Sequence, residues 1–308
     1  MMNFLQFVAA LRVRDADKSR RKNAPILRSQ KILPLDRATH AGTRLLIGQC
    51  KSMASDTAVS LCVFNRCAGS SESILTLAAF PIREWRMRLR QWCGKIINTT
   101  AYRPTAWPAG DGTGRRFFTS GLALDLADHV VATLKRRNES GCKLSMLGLA
   151  QAFDEFFIGC EYNSMMFALQ EVVKDLVIAA AGRRYATLAD PDSETYLGPG
   201  CVDGLQHTQA RAGRLQARVR HLSELTRKLP VLDWVTVSDT EHHLCEYNKY
   251  VKASQGLWSK PYKCPACPNG FLTTDGRLKS VAERRRVSAR LRMNTEGSKG
   301  FSHAHTRM

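Results

Sequence analysis

The spacing that most constrains this chain lies near its C-terminal end: His242-His243-Leu244-Cys245, eighteen further residues, then Cys264-Pro265-Ala266-Cys267-Pro268-Asn269-Gly270. Two donor side chains separated by two residues can both turn onto one centre when the backbone between them folds into a tight knuckle. Pro265 and Pro268 restrict that turn, and Gly270 admits the positive φ that often follows it. Two such pairs supply four nitrogen and sulfur donors, the set that tetrahedral Zn2+ prefers, at a separation used by zinc-ribbon-like sites. The spacing therefore predicts a Zn2+ knuckle with His242, Cys245, Cys264 and Cys267 as ligands. His243 is the rival donor, set off from Cys245 by a single residue, and His303 and His305 are more distant substitutes. Four protein ligands leave no open position for water, so the metal is expected to be structural rather than catalytic. The His-x-Glu partner that zinc deaminases carry upstream of their Cys-x2-Cys is also missing. A redox Cys-x2-Cys would be expected at a helix N-terminus in a βαβ setting, whereas prolines and a glycine flank this one. A free pair of buried thiols is the remaining alternative.

The neighbours of the two pairs point to a use. Between them, Tyr247, Lys249, Tyr250, Lys252, Trp258, Lys260, Tyr262 and Lys263 interleave aromatic planes with cations, a mixture suited to stacking bases while neutralising phosphates. Arg277, Lys279, Arg284, Arg285, Arg286, Arg290 and Arg292 follow, opposed nearby only by Glu283. The whole chain carries 46 Lys and Arg against 27 Asp and Glu, a formal +19. Such a surplus attracts polyanions, with nucleic acid the commonest and anionic membrane surfaces the other candidate. No run approaches the ~18 apolar residues of a membrane span.

Punctuation divides the 308 residues into a basic N-terminal region at 1–102, a Pro/Gly linker at 103–116, a helical bundle at 117–240, the knuckle at 241–276 and a basic tail at 277–308 whose composition favours disorder. The fold class is mainly α, with an N-terminal part open to an α+β reading. There, two apolar runs at 58–67 and 73–80, separated by Gly69-Ser70-Ser71, read as buried strands. Trp85, Met87 and Leu89 alternate with Arg86, Arg88 and Arg90, which reads as a strand with one apolar and one basic face. A basic edge of this kind either lies on phosphates or simply discourages aggregation. Gly110, Gly112 and Gly114 precede two arginines but lack the Walker lysine, so they belong to the linker.

From Ser120 the pattern is helical: Leu122, Leu126, Val130 and Leu134 recur every four residues, and Lys135, Arg136 and Arg137 decorate the last turn. Further helices are predicted over Ser145–Phe157, about 163–181 and about 205–229. The last carries Leu215, Leu222 and Leu229 seven apart, with Val219 between. That seam barely reaches two heptads, so it predicts docking on the chain's own bundle, with a homodimer through 205–229 as the alternative.

Ten cysteines, mostly single and set in apolar stretches, fit reduced thiols in an intracellular protein. The apolar start, Met1 to Leu11, precedes its charges, which is the wrong order for a secretory signal. Asp15 and Asp17 also count against a mitochondrial presequence, so the cytoplasm is favoured over organelle import. Asp154-Glu155 and Asp190-x-Asp192 are acid pairs of a kind that helix surfaces and turns produce, and no nucleophile–base pattern is legible. The expectation is a zinc-stabilised, non-enzymatic nucleic-acid-binding protein, with DNA ahead of RNA. The alternatives are a structural component of a ribonucleoprotein such as an organellar ribosome, and a nucleic-acid-processing enzyme.

Overall fold

A computed structural model describes residues 1–16, 26–27, 32–67, 69, 71–91, 113–141, 143–158, 166–179, 185, 189–210 and 213–257, with side chains omitted at 72, 90, 91 and 113–120. Eleven α-helices account for most of these residues: α1 Phe4–Ala16, α2 Ala41–Cys50, α3 Ser55–Cys67, α4 Ser71–Ala78, α5 Trp85–Gln91, α6 Thr113–Glu139, α7 Met146–Asp154, α8 Met166–Ala179, α9 Pro199–Gln206, α10 Leu215–Arg227 and α11 Val237–Ser254. The described strands are a two-residue parallel pair, β1 Leu144–Ser145 beside β2 Ala189–Asp190.

The mainly α expectation therefore holds, and its β part is corrected. The run at 58–67 lies in α3, and 73–80 lies largely in α4. Every residue from Ala58 to Phe64 is buried, so α3 is enclosed nearly all round and shows no polar face from which a helical period could be read. The alternating run at 85–90 is helix α5. Trp85 and Leu89, spaced i and i+4, face the core, while Met87 between them is exposed. Two of its cations are engaged: Arg86 pairs with Asp125 at 2.5 Å, and Arg88 pairs with Glu84 at 2.9 Å and lies 3.8 Å over the Phe80 ring.

Where polarity alternates with apolar spacing, the expected helices appear. Ser145 caps α7 by accepting from Gly148 N at 2.9 Å, and a 3-10 turn at Glu155–Phe157 finishes it. Helix α6 begins at Thr113, inside the expected 103–116 linker, whose residues 103–112 lie outside the described set. The single helix expected over 205–229 is two. Helix α9 ends at Gln206, Gly213 adopts φ +90°, and α10 starts at Leu215. The Arg218 guanidinium holds the break together by donating to the carbonyls of Leu205 and Ala210.

Two hydrophobic cores result. The first runs from Ala41 to Ala189 and joins α2–α8, drawing on both sides of residues 103–116. The second joins α1 and the segment to Leu35 with α9, α10 and α11. Phe4, Phe7, Val8 and Leu11 of α1 are buried in it, so the apolar start of the chain is core material. Val219 and Leu222 of α10 are buried in the same core and Leu229 packs against it, so the leucine seam is covered by its own chain except at its first position, Leu215, which is 40% exposed. Helices α9 and α11 cross with almost no gap. A Cβ on Gly204 would stand 2.3 Å from the Leu244 carbonyl oxygen, and one on Gly200 would stand 3.3 Å from Cys245 Sγ. Glycine at 204 is what lets the two backbones meet.

Candidate functional site

Helix α11 carries half of the expected metal ligands and part of the expected nucleic-acid contacts. It is anchored at its start by a capping box: Asp239 N donates to Thr236 Oγ1 at 3.1 Å, and Thr236 N donates to Asp239 Oδ2 at 2.9 Å. His242 and Cys245 thus sit inside a continuous helix, three residues apart on one face, and not in a loop knuckle. Both are half-buried: His242 Nε2 is 3.4 Å from Pro34 O, and Cys245 Sγ donates to Glu241 Oε1 at 3.4 Å. His243 reaches the next carbonyl of the same segment. It is fully buried with Nε2 2.9 Å from Leu35 O, and the helical turn sets it away from Cys245. Of the two histidines, His242 is the one that shares a face with Cys245.

Burial, with Glu241 beside it, pushes the Cys245 thiol well up. Burial and the neighbouring His243, Arg37 and Lys174 push His242 well down. Both groups are neutral donors in the protein as it stands. Cys264 and Cys267 lie outside the described residues. Among the described residues no group of three or more His, Cys, Asp or Glu side chains is placed to hold a metal ion. Cys50, Cys62, Cys67, Cys201 and Cys245 are free thiols.

The aromatic part of the expected nucleic-acid surface is corrected at two positions. Tyr247 is 1% exposed and Tyr250 6% exposed. Their rings pack with Phe4 and Phe7 of α1 at centroid separations of 5.2–5.6 Å. Their hydroxyls are also committed, Met2 N donating to Tyr250 Oη and Tyr247 Oη donating to Met2 O, both at 3.1 Å. An amphipathic helix needs something to bury its apolar stripe against, and the first sixteen residues supply it. Neither ring offers a face to a base. Lys249 and Lys252 are partly exposed and pair with Glu246 at 2.5 Å and Asp203 at 3.1 Å. Trp258, Lys260, Lys263, Arg277, Lys279, Arg284, Arg285, Arg286, Arg290 and Arg292 lie outside the described residues.

The most highly charged place inside the molecule was not singled out by spacing. It lies where the two cores meet, and α8 supplies its floor with Glu171, Lys174 and Asp175, all buried. Arg66 of α3 grips Asp175 through Nε and NH2, the latter at 2.6 Å, and Arg37, from the 3-10 turn Arg37–Thr39, reaches Asp175 Oδ1 at 3.1 Å. Arg37 NH1 is 2.8 Å from Glu171 Oε2. Lys174 Nζ lies 3.1 Å from Glu171 Oε1 and donates to Glu241 of α11. Three cations meet three carboxylates, so the cluster is neutral.

Burial alone would raise Glu171, but Arg37, Lys174 and Arg66 outweigh it and hold the carboxyl well below its ordinary range. Burial alone would lower Lys174, but Glu241 and Glu171 outweigh it and hold the ammonium above its ordinary value. Charges this deeply buried are tolerated only when each finds its partner, and the partners here come from both cores. The run Glu171-x2-Lys174-Asp175 within an otherwise apolar helix is the sequence signal that marks it. Each charge in the cluster lies against an opposite one.

No family model, no curated protein and no solved structure matches this chain.

Proposed function

We propose that the chain is a nucleic-acid-binding protein, DNA ahead of RNA, whose C-terminal segment is clipped to the helical body by a structural Zn2+. The observation that carries this reading is the distribution of charge. Residues 258–308 hold eleven Lys and Arg against three Asp and Glu. They follow directly on α11, whose own Lys249 and Lys252 are already paired with carboxylates. Polyanion attraction is therefore concentrated beyond a fixed helical stem, in a segment that can fold onto a duplex or a single strand.

His242 and Cys245 support the zinc part by sharing one half-buried face of that stem. Ser254, the last residue of α11, lies about 13–14 Å along the helix from Cys245, and the chain then turns so that Leu257 N donates to Lys252 O. The seven residues from there to Cys264 span at most about 23–25 Å, so the chain is long enough to bring Cys264 and Cys267 back beside the first pair. Zinc bound there by three cysteines and a histidine would be closed to water and would act on folding alone.

Two measurements on the full chain test the reading. Metal analysis of purified protein should give one equivalent of zinc, lost in Cys264→Ser; less than one equivalent in the wild type, or full retention in the variant, sinks the clip. Titration with DNA and RNA across a salt series should give steeply salt-dependent binding that weakens and flattens when 277–308 are deleted. Unchanged binding after that deletion removes the tail from the account, and tighter binding to RNA than to DNA reverses the preference.

A further inference from the structure

We infer that the outer face of α10 and the corner beyond it form a binding surface for single-stranded nucleic acid, in which Trp234 stacks on a base. This rests on the nucleic-acid reading above and adds to it a site within the folded body, where that reading otherwise leans on the tail.

Two independent observations meet at this place. The first is charge. Helix α10 spends its apolar side on the second core, burying Val219, Leu222, Ser223 and Thr226, and turns Arg214, Ala217, Arg220, His221, Glu224 and Lys228 to solvent along the helix and its two flanks. Arg214, Arg220 and Lys228 make no ion pair among the described residues, in contrast to Arg227, which is bound to Asp192. Glu224 is the one carboxylate on that face. The three free cations are spaced roughly 9 and 12 Å along the axis, an arrangement that follows a phosphate backbone better than it cradles one ion.

The second is a strained turn that presents a ring. Val231 adopts φ +61°, a region that a β-branched residue almost never enters, and its side chain is 66% exposed. Strain of this sort persists only where the surroundings over-determine it, and it marks places where a geometry is held for use. Three side-chain hydrogen bonds restrain the turn. Arg12 NH1 donates to Pro230 O at 2.7 Å, Arg227 Nε to Val235 O at 2.5 Å, and the Trp234 indole N–H to Val231 O at 3.2 Å. The indole is thereby fixed while remaining 42% exposed. Trp85 in the first core makes the same kind of bond, to Phe80 O at 3.0 Å, but is buried, so exposure is what sets Trp234 apart.

An exposed, orientationally fixed aromatic at the end of a basic stripe is the combination that binds single strands, because every base has a face to stack while phosphates meet the cations. A membrane surface fits less well. A helix lying in a bilayer interface needs a free apolar face, and α10 leaves only Leu215 of its large apolar residues exposed, the others being turned into the second core.

The test uses the full chain and a fluorescently labelled 20-nucleotide oligo-dT, with a duplex of equal length and phosphatidylserine-rich vesicles as comparison arms. Replacing Arg214, Arg220 and Lys228 together by Gln should lower the salt slope for oligo-dT by about two, the equivalent of three lost phosphate contacts. Trp234→Ala should weaken oligo-dT binding about tenfold, and Trp234→Phe should recover most of that loss. Duplex binding should be much less sensitive to residue 234. If the wild type binds oligo-dT and both sets of variants bind equally well, the α10 surface is wrong and the tail reading survives. If the wild type binds no nucleic acid, the broader reading fails first. Vesicle binding that these variants abolish, with oligo-dT binding intact, overturns the inference in favour of a membrane.

Discussion

The two cores of this protein are built on opposite plans. The first is assembled from one continuous run of helices, α2 to α8, with α3 packed on α6 and α8 that follow it later in that run. The second takes α1 from one end of the chain and α9, α10 and α11 from residues some two hundred positions later. The first is packed by side chains on all faces of α3, the second by a backbone-to-backbone crossing at Gly204 and an aromatic cluster closed by Met2. The first core is drawn from a single continuous stretch of chain, whereas the second depends on closing two separated stretches. The buried ion cluster is where they are made to agree, because its members come from both sides.

Breaking that agreement should have the largest effect. Asp175→Asn leaves Arg37 and Arg66 buried opposite a neutral amide and should cost about 4 kcal/mol, read as a drop in urea midpoint for the whole molecule. A loss confined to one core would show that the cores are energetically independent. Next comes the crossing itself. Gly204→Ala drives a methyl into the Leu244 carbonyl and should cost about 3 kcal/mol, while Gly200→Ala, facing only a movable thiol, should cost well under half of that. Equal losses at the two glycines would deny that α9 and α11 meet backbone to backbone.

The cluster should also make stability depend on pH. Glu171 has a folded value held below its unfolded one, so its contribution is complete above the unfolded carboxyl value near pH ~4.3 and is lost as pH falls through the folded value. Lys174 is held above its unfolded value, so its contribution is complete below about pH 10.4 and is lost as pH rises further. Stability measured by denaturant at stepped pH should fall on both flanks, and Glu171→Gln should flatten the acid flank at about 1.4 kcal/mol per pH unit. An acid flank of unchanged slope in that variant would place the titration elsewhere. The smallest effect is at a helix start: Thr236→Ala removes one hydroxyl cap from α11 and should cost about 1 kcal/mol, with Ser145→Ala giving a similar loss in the first core.

The helices from α6 to α8, and the apolar seam of α10, were legible because polar residues interrupt their apolar stripes at helical spacing. The same rule failed in α3, where burial on nearly every side erased the period, and in α5, where Trp85 and Leu89 sit four apart and also two places either side of Met87. The break between α9 and α10 was hidden because Gly213 stands within a run that otherwise reads as one amphipathic helix. At the candidate site, the two-residue spacing of His242 and Cys245 was readable but suggested a loop knuckle, whereas both lie in α11, where positions three apart share a face. The burial of Tyr247 and Tyr250 was not readable, since the partner that covers them lies over two hundred residues earlier. The ion cluster escaped for the same reason: Glu171, Lys174 and Asp175 look like a solvated charge run until Arg37, Arg66 and Glu241 are brought to them.

The hydrogen bonds between Met2 and the two tyrosines have a bearing on how the chain is made. Synthesis proceeds from the amino end at roughly 5–20 residues per second, so α1 emerges long before its partner. Phe4, Phe7, Val8 and Leu11 must wait for about 240 more residues, or roughly 12 to 48 seconds at that pace, before α11 arrives to cover them. During that interval the first core can form on the ribosome, and α1 is a sticky apolar segment that chaperones can hold.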